Sequence, residues 1–228
     1  MSRPAAERRE ALIALYREVQ ACKLCPLHET RTRVVFGNGN ADADLMFVGE
    51  APGMHEDQQG IPFVGRAGQL LDELLREVGL SREGVFVCNV LKSRPPGNRD
   101  PQPDEISACR PYLDAQVELI EPRVICTLGN FATKLLTRSS RGIMSVRGKP
   151  QVHELGGRKV RLYPLCHPAA GLRTPATLAA IREDMARLPA LLEEAPPADP
   201  ATAGPGGAGP EPSEPRPSEP APQLGLFG

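Results

Sequence analysis

Two cysteines, Cys22 and Cys25, stand three positions apart in the segment ACKLCPL and have the spacing of metal ligands. Two thiolates at this spacing can point at one bound ion. The N-terminus of the chain is charged and lacks the apolar stretch of a secretory signal, so cysteines here suit metal binding, catalysis or buried packing better than a disulfide framework. The pair therefore predicts a metal or cluster whose remaining ligands lie elsewhere in the chain.

Three loops rich in glycine, proline and polar residues contain the other groups suited to catalysis. They read GEAPGMHED, NVLKSRPPGNRDP and HPAAGLR, and each follows a short apolar run. In open parallel sheets, ligands bind at the carboxyl ends of the strands. We therefore expect these three loops to form one site.

The apolar runs before these loops read DADLMFVGE, GVFVCNVL and RKVRLYPLCHP, and PRVICTLGN is a fourth of the same kind. Amphipathic helical patterns separate them. This alternation predicts an α/β fold of three αβα layers, with a central four-stranded parallel sheet covered on both faces. It also predicts a helix that Asp104 caps and Pro111 can break, and a single closing helix over residues 174–192.

The net charge of −1 is unevenly distributed, because residues 196–228 are acidic and the rest of the chain is slightly basic. Basic residues cluster in two loops, which contain Lys92, Arg94 and Arg99, and Arg138, Arg141, Arg147 and Lys149. Most are arginines, which suit bidentate phosphate contact, although a GC-rich genome has the same effect on composition. No run approaches the ~20 apolar residues of a membrane span. We expect a monomeric, cytoplasmic protein associated with the nucleoid.

A change in composition near residue 195 predicts a domain over residues 1–195 and a disordered tail over residues 196–228. The tail contains ten prolines and six glycines and almost no apolar residues that could form a core. Its last large apolar residues lie in Gln223–Phe227, which reads QLGLF. This peptide resembles the sliding-clamp-binding peptide of bacteria, so we expect the clamp as a partner. The alternative is an inert tail.

Taken together, the loop GEAPGMHEDQQGIPFVGRAGQLLD, the segment NVLKSRPPGNRDP and HPAA resemble the family 4 (type 4) uracil-DNA glycosylases, the iron–sulfur branch of the uracil-DNA glycosylase superfamily. The resemblance extends from about Cys22 to about Leu191. It implies a monofunctional DNA glycosylase that hydrolyses the N-glycosidic bond of deoxyuridine in DNA. The products are uracil and an abasic site, the first intermediate of base-excision repair.

The resemblance also implies roles for three residues that would contact the base. His167 would donate a hydrogen bond to uracil O2 as charge builds on the leaving base, either as a neutral imidazole or as a cation. The Asn89 amide would pair with the O4 and N3–H edge of uracil, an edge whose pattern is reversed in cytosine. Phe63 would stack on the flipped base. The alternatives are a structural histidine, a strand-end cap and a core phenylalanine.

Two carboxylates and the glycine loop complete the implied site. Glu50 would lie near C1′ and the attacking water, and Glu56 near the C5 edge of uracil, where it would help to exclude thymine. The better-known uracil glycosylases have an Asp where this chain has Ala51, so Glu50 would act more by its charge than as a strong base. Gly49 and Gly53 would let the backbone approach the base closely.

Three further residues would contact DNA. Leu172 follows HPAA, where the superfamily places an apolar wedge that fills the gap left by the flipped base. Leu172 could equally be a core residue of the last helix. Arg173 beside it and Arg94 in the second loop would hold phosphates.

By the same resemblance, a [4Fe-4S] cluster has Cys22, Cys25 and Cys109 as ligands. The remaining family cysteine is replaced by Ser93. Ser93 could ligate through oxygen, although oxygen is a poor match for an iron with soft ligands. Alternatively, Cys88 replaces it, or the cluster has three protein ligands. The cysteines could also be reduced thiols or a zinc site.

Three rival functions remain open from the sequence. One is the superfamily branch that bonds covalently to the abasic product, although that branch has an inserted basic loop with a reactive histidine, which KSRPPGNRD lacks. Another is a catalytically silent module that binds uracil-DNA and is recruited by the clamp. A weaker rival is an enzyme that acts on free nucleotides.

Overall fold

Six strands form one sheet in the computed structural model, which describes residues 4–197. The strands are β1 (Asn38–Gly39), β2 (Leu45–Gly49), β3 (Phe86–Asn89), β4 (Val124–Leu128), β5 (Gln151–Leu155) and β6 (Arg158–Leu165). Their order across the sheet is β1-β3-β2-β4-β6-β5. The four central strands are parallel, and β1 and β5 pair antiparallel at the two edges.

Helices cover both faces of this sheet. Their bounds are α1 (Ala5–Ala21), α2 (Leu27–Thr30), α3 (Met54–Gln59), α4 (Arg66–Glu77), α5 (Pro103–Ile120), α6 (Gly129–Thr137), α7 (Ile143–Val146), α8 (Pro168–Gly171), α9 (Pro175–Met185) and α10 (Leu188–Glu193). Buried residues of α1, α5 and α6 pack on one face, and those of α4, α7, α9 and α10 pack on the other. The three-layer αβα fold is confirmed.

Alternating side chains of each central strand supply the two halves of the core. In β2, Met46 and Val48 pack on the face of α1 and α5, whereas Leu45 and Phe47 pack on the face of α4. All five residues of β2 are buried. A parallel strand covered on both faces buries every side chain, which is why these strands read as continuous apolar runs.

The predicted four-strand sheet is wrong in strand number, because the structure adds the two edge strands. β1 has only two residues, and β5 alternates between half-buried and exposed side chains, so neither forms an apolar run. The four predicted strands are β2, β3, β4 and β6, which form the parallel centre.

Two helix predictions are also corrected. α5 is capped by Gln102, whose side chain forms a capping box with Glu105, and it continues through Pro111. Pro111 lies on the solvent side of α5, where water can satisfy the carbonyl that the proline leaves free. The predicted closing helix is divided into α9 and α10, and Pro189 stands in the first turn of α10.

The parallel order brings the carboxyl ends of β2, β3, β4 and β6 to one edge of the sheet. Gly49 and Asn89 are neighbours there, at the last paired position of β2 and β3. None of the helices within residues 4–197 has the length and apolar character of a membrane-spanning segment. Apart from residues 196 and 197, the predicted tail and its peptide Gln223–Phe227 lie outside the described residues.

Candidate active site

Gly49, Phe63, Asn89 and His167 meet at the carboxyl ends of the strands, and we call this group the strand-end site. Gly49 lies between two of the other side chains. A Cβ added to Gly49 would collide with Asn89 Oδ1 and would lie 2.9 Å from Phe63 Cζ. The missing side chain of Gly49 therefore leaves the space that Asn89 and Phe63 occupy.

Phe63 is held in an unusual backbone conformation. Its φ is 56°, a left-handed value that residues other than glycine seldom adopt. A Cβ at Gly68, in the first turn of α4, would collide with the carbonyl of Phe63. Position 68 therefore accepts only glycine. The Phe63 ring lies parallel to the His167 imidazole, with 5.6 Å between the ring centroids and an interplanar angle of 26°. Strained residues of this kind cluster at functional sites.

His167 is the N-cap of α8, and its ring orientation is fixed by a hydrogen bond. The backbone N–H of Ala169 donates to His167 Nδ1 at 3.1 Å. A nitrogen that accepts a hydrogen bond has no proton, so the proton of the neutral ring lies on Nε2. The pKa of His167 is lowered to about 4, chiefly by burial; nearby Glu56 opposes the shift and Arg173 adds to it. His167 is therefore a neutral Nε2–H donor at pH 7.

The two candidate carboxylates occupy different parts of this region. Glu56, on α3, accepts a hydrogen bond from the backbone N–H of Gly65 at 3.3 Å, and its other oxygen lies close to Gly53. Glu50 directly follows β2 and is half-buried. Burial raises the pKa of Glu50, and the negative charge of Asp100 raises it further. Asp100 is a contributor that sequence analysis did not identify.

The candidate DNA-contacting residues lie on the surface around the site. Leu172, the C-cap of α8, is 40% exposed, so its side chain is not part of the core. Arg173 beside it is exposed and lies close enough to His167 to affect its pKa. Arg94 is half-buried, and its Nε donates to Asn98 Oδ1 at 2.6 Å. Ala51, beside Glu50, is half-buried against the core.

Three basic residues of the two clusters have partners within the protein. Lys92 is only 2% exposed. Arg99, although exposed, pairs with Glu105 at 2.5 Å, and Arg147 pairs with Asp184 at 2.9 Å. Arg138, Arg141 and Lys149 are exposed.

Cys22, Cys25, Ser93 and Cys109 line one cavity, which we call the cysteine cavity. They come from the end of α1, the turn before α2, the loop after β3 and the middle of α5. The cavity has about 280 Å³ of empty space, part of it open to solvent. The hydroxyl of Ser93 accepts a hydrogen bond from Arg31 at 3.3 Å.

The cysteine cavity presents three thiols and one hydroxyl on a common lining, a donor set that suits a cluster of several iron atoms. Burial raises the pKa of the Cys25 and Cys109 thiols, so the cavity favours neutral thiols unless a bound cation compensates. Within residues 4–197, no three His, Cys, Asp or Glu side chains are placed to hold a single metal ion. Cys88 is fully buried on β3 and does not line the cavity.

A buried polar pair, Lys92 and Gln116, was also missed by sequence analysis. The Lys92 ammonium donates to the backbone carbonyl of Asn89 at 2.7 Å and to Gln116 Oε1 at 2.6 Å. Two sequence signals point to the pair in retrospect. Lys92 ends the apolar run of β3, and Gln116 stands among the apolar residues of α5.

Comparison with known proteins agrees with this geometry. Residues 36–188 match the family model described as the uracil DNA glycosylase superfamily. The chain is 51% identical over 167 residues to the type-4 uracil-DNA glycosylase of Thermotoga maritima. The aligned residues are 72% of this chain and 85% of the relative. For the Archaeoglobus fulgidus enzyme of that name, identity is 48% over 170 residues, 73% of this chain and 85% of the relative. For the type-4 uracil-DNA glycosylase of Saccharolobus solfataricus, identity is 45% over 184 residues, which are 78% of this chain and 85% of the relative.

Proposed function

Because the chain belongs to the uracil-DNA glycosylase superfamily, and within it to the type-4 enzymes, we propose that it hydrolyses the N-glycosidic bond of deoxyuridine in DNA. The products are free uracil and an abasic site, from which base-excision repair proceeds. The observation that carries this proposal is that Asn89 and Phe63 meet at Gly49 and that the His167 ring stacks beside Phe63. These side chains have the chemistry needed to hold an extruded pyrimidine by its edge and its face.

Asn89 reads the Watson–Crick edge of the base. Its amide N–H donates to uracil O4, and its carbonyl oxygen accepts from uracil N3–H. Cytosine has an amino group in place of O4 and a bare N3, so both hydrogen bonds would become repulsive contacts. Phe63 supplies the stacking face, and its strained backbone keeps the ring beside His167 before the base arrives.

His167 stabilises the leaving group as a neutral donor. When the bond between C1′ and N1 breaks, its electron pair moves onto uracil, and O2 carries part of the negative charge. The Nε2–H of the neutral His167 ring donates to that oxygen, and the ring needs no change of protonation before it does so. Such preorganised donors contribute about 3–4 kcal/mol to a transition state of this kind.

Glu50 acts at the sugar. C1′ becomes electron-poor as uracil departs, so a carboxylate beside it stabilises the developing positive charge and accepts a proton from the attacking water. The raised pKa of Glu50 makes it a better base than an exposed glutamate. Glu56 is the nearer carboxylate to His167, and we propose that it borders the C5 edge of uracil, where a thymine methyl group would meet it.

DNA approaches across the surface that contains Leu172 and Arg173. The exposed Leu172 side chain enters the stack as the base leaves it, and Arg173 contacts a phosphate near the flipped nucleotide. Arg94 contacts the backbone on the other side of the site. With no lysine identified as a Schiff-base nucleophile, we expect the DNA strand to stay intact after uracil is released.

In this proposal the cysteine cavity would hold a [4Fe-4S] cluster through Cys22, Cys25 and Cys109, with Ser93 in the position of the remaining ligand. The cluster would supply structural cross-linking rather than redox chemistry. It would join the end of α1 to α5 and to the loop after β3. That loop contains Arg94, so its position on DNA would depend on the cavity.

Uracil release from a single-uracil oligonucleotide, measured under single-turnover conditions, tests the proposed function. Asn89→Asp should lower the rate about a hundredfold, because the loss of one donor and the repulsion of O4 together cost about 3 kcal/mol. Asn130→Asp is the matched control, since Asn130 Oδ1 only accepts a hydrogen bond from Ile143 N–H. A folded, iron-containing wild-type protein that releases no uracil would refute the proposal.

The same reaction separates the rival functions. A band shifted by the mass of the protein on a denaturing gel would identify the covalent branch. Binding of uracil-DNA without release would identify a silent module, and release from deoxyuridine nucleotides alone would identify a nucleotide-processing enzyme. The proposal expects free uracil, an intact strand and no crosslink.

We also propose that Gln223–Phe227 binds the DNA sliding clamp, on the strength of the QLGLF pattern alone. A synthetic peptide of residues 219–228 should bind purified clamp, and the change of Leu226 and Phe227 to alanine should abolish binding. Equal affinity of the two peptides would rule the motif out.

A further inference from the structure

Lys92 is the one fully buried lysine among the described residues, and nothing in the proposed reaction uses it. Its ammonium has three N–H donors. One donates to the carbonyl of Asn89 and one to Gln116 Oε1, and the thiol of Cys88 lies near the ammonium. The side chain is only 2% exposed, so burial keeps it from DNA phosphate.

Lys92 is linked to the strand-end site by its hydrogen bond to the carbonyl of Asn89. Asn89 is the last residue of β3, although the N–H groups of Val90 and Leu91 still donate to the carbonyls of Gly49 and Glu50. The peptide after Asn89 is therefore held at both ends: its N–H, on Val90, donates to the carbonyl of Gly49 at 2.9 Å, and its carbonyl is capped by Lys92 from inside the core. The Asn89 side chain starts from the same Cα, and its Oδ1 already lies against Gly49. A rotation of this peptide would therefore move the amide that reads the base.

Gln116 anchors the lysine in turn. Its Oε1 accepts from Lys92, and its Nε2 donates to the carbonyl of Phe36 at 3.0 Å. Gln116 is fully buried on α5, so the ammonium is held between β3 and a helix that does not touch the base. The backbone N–H of Lys92 also points at Cys109 Sγ, at 3.5 Å, so the same residue forms part of the wall of the cysteine cavity.

We propose that Lys92, held by Gln116, is a positioning residue that fixes the uracil-reading amide of Asn89. This inference rests on the proposed function and deepens it. It assigns specificity to a lysine that touches neither the base nor the DNA. It also gives a physical route by which damage to the cysteine cavity reaches the Asn89 amide, since Lys92 hydrogen-bonds both to Cys109 and to the carbonyl of Asn89.

The test measures two affinities in the iron-loaded, full-length protein. One is the affinity for free uracil, which depends on the Asn89 amide, and the other is the affinity for DNA with an abasic-site analogue, which does not. Lys92→Met keeps the length of the side chain and the N–H that points at Cys109. It should weaken uracil binding about tenfold, a change of about 1.4 kcal/mol, and leave analogue binding within about twofold.

Two further variants keep the test decisive if Lys92→Met folds poorly. The double variant Lys92→Met/Gln116→Leu removes the orphaned amide as well, and it should show the same selective loss of uracil affinity. Gln116→Glu keeps an oxygen acceptor for the ammonium and should bind uracil more tightly than Gln116→Leu does. Tyr163→Phe is the matched control, because it deletes a buried hydrogen bond to the carbonyl of Asp184 on the opposite face of the sheet.

The outcomes distinguish this inference from the proposed function. If the wild-type protein binds no uracil, the proposed function fails. If the wild type binds uracil and the folded Lys92 variants bind it equally well, the positioning role is wrong. If uracil and analogue affinities fall together, as in a general loss of structure, the role is also wrong.

Discussion

The strand-end site and the cysteine cavity lie at the two ends of the short segment 89–93. They differ in how many of their residues have the type that the family resemblance implies. Each polar group of the strand-end site has its expected residue type, and its geometry is fixed by backbone features such as the φ of Phe63 and the N-cap of His167. The cysteine cavity instead has Ser93 where the resemblance to the type-4 enzymes implies a fourth cysteine. We infer that base recognition is rigidly specified, whereas cluster ligation tolerates a substitution.

This difference has a physical cause. A hydrogen bond to a developing charge is sensitive to small displacements, since its energy depends on distance and angle. A cluster that only joins α1, α5 and a loop needs enough ligands to remain bound. The predictions below therefore expect large effects at the strand-end site and small effects at Ser93.

Removal of the imidazole should have the greatest effect on catalysis. His167→Ala is expected to lower the single-turnover rate of uracil release about 10²–10³-fold, because the donor to O2 is lost. His153→Ala is the control, as His153 lies on the edge strand β5. A loss below tenfold would mean that the leaving base is stabilised elsewhere.

The lowered pKa of His167 also predicts how stability depends on pH. The folded protein holds this ring neutral down to about pH 4, whereas the unfolded chain takes up the proton near 6.5. Protonation therefore favours the unfolded state as pH falls through this window, and about 3 kcal/mol of stability is lost.

Urea unfolding of the wild type and His167→Asn at several pH values between 7.5 and 4.5 measures this loss. The wild type should lose about 3 kcal/mol more than the variant over the window. Glu56 and Arg173 are common to both proteins, so their contributions largely cancel. Parallel pH profiles for the two proteins would contradict a neutral, buried imidazole.

Loss of the stacking ring should have an intermediate effect. Phe63→Leu keeps an apolar side chain but removes the aromatic face, and it should weaken uracil binding by about 1–3 kcal/mol. Phe131→Leu makes the same chemical change at a partly buried position on α6, which packs on the opposite face of the sheet from Phe63. The two variants would behave alike only if Phe63 were a packing residue.

Truncation of the exposed wedge should affect only double-stranded substrate. Leu172→Ala is expected to slow uracil release from duplex DNA by about threefold to tenfold, because the gap left by the flipped base is no longer filled. Release from single-stranded DNA should not change. Val152→Ala, at an exposed apolar residue of β5, controls for surface effects. Equal slowing on both substrates would exclude a wedge.

Ser93→Cys should change iron content and leave catalysis within about twofold, since it restores a thiolate that matches iron. We expect a higher iron and sulfide count after exposure to air. Cys88→Ala should leave the count unchanged, because Cys88 does not line the cavity. Loss of iron in Cys88→Ala would show that the β3 backbone moves to supply a ligand.

The sequence predicted the parallel centre of the sheet well, because apolar runs and the loops that follow them depend on local pattern. It missed β1 and β5 because an edge strand is defined by its neighbour and not by its own composition. A left-handed φ at Phe63 has no sequence signal, since the residue is not a glycine and the space for its carbonyl is left by Gly68, five residues later.

Charge counts misled the sequence analysis for a related reason. Lys92 was assigned to a basic patch because its letter shows charge but not burial. Only the structure shows that Gln116, 24 residues later, completes its hydrogen bonds. Whether His167 is neutral was also open from sequence, because the charge depends on the burial of the ring, and the position of its proton depends on a backbone N–H two residues away.

Nitrogen NMR of the His167 ring in selectively labelled protein, between pH 7.5 and 5, tests the proposed reaction most directly. We predict a neutral ring throughout, with the proton on Nε2 and a bare Nδ1, both in the free protein and in complex with abasic DNA and uracil. A ring that is protonated on both nitrogens at pH 7, or that has its single proton on Nδ1, would contradict the account.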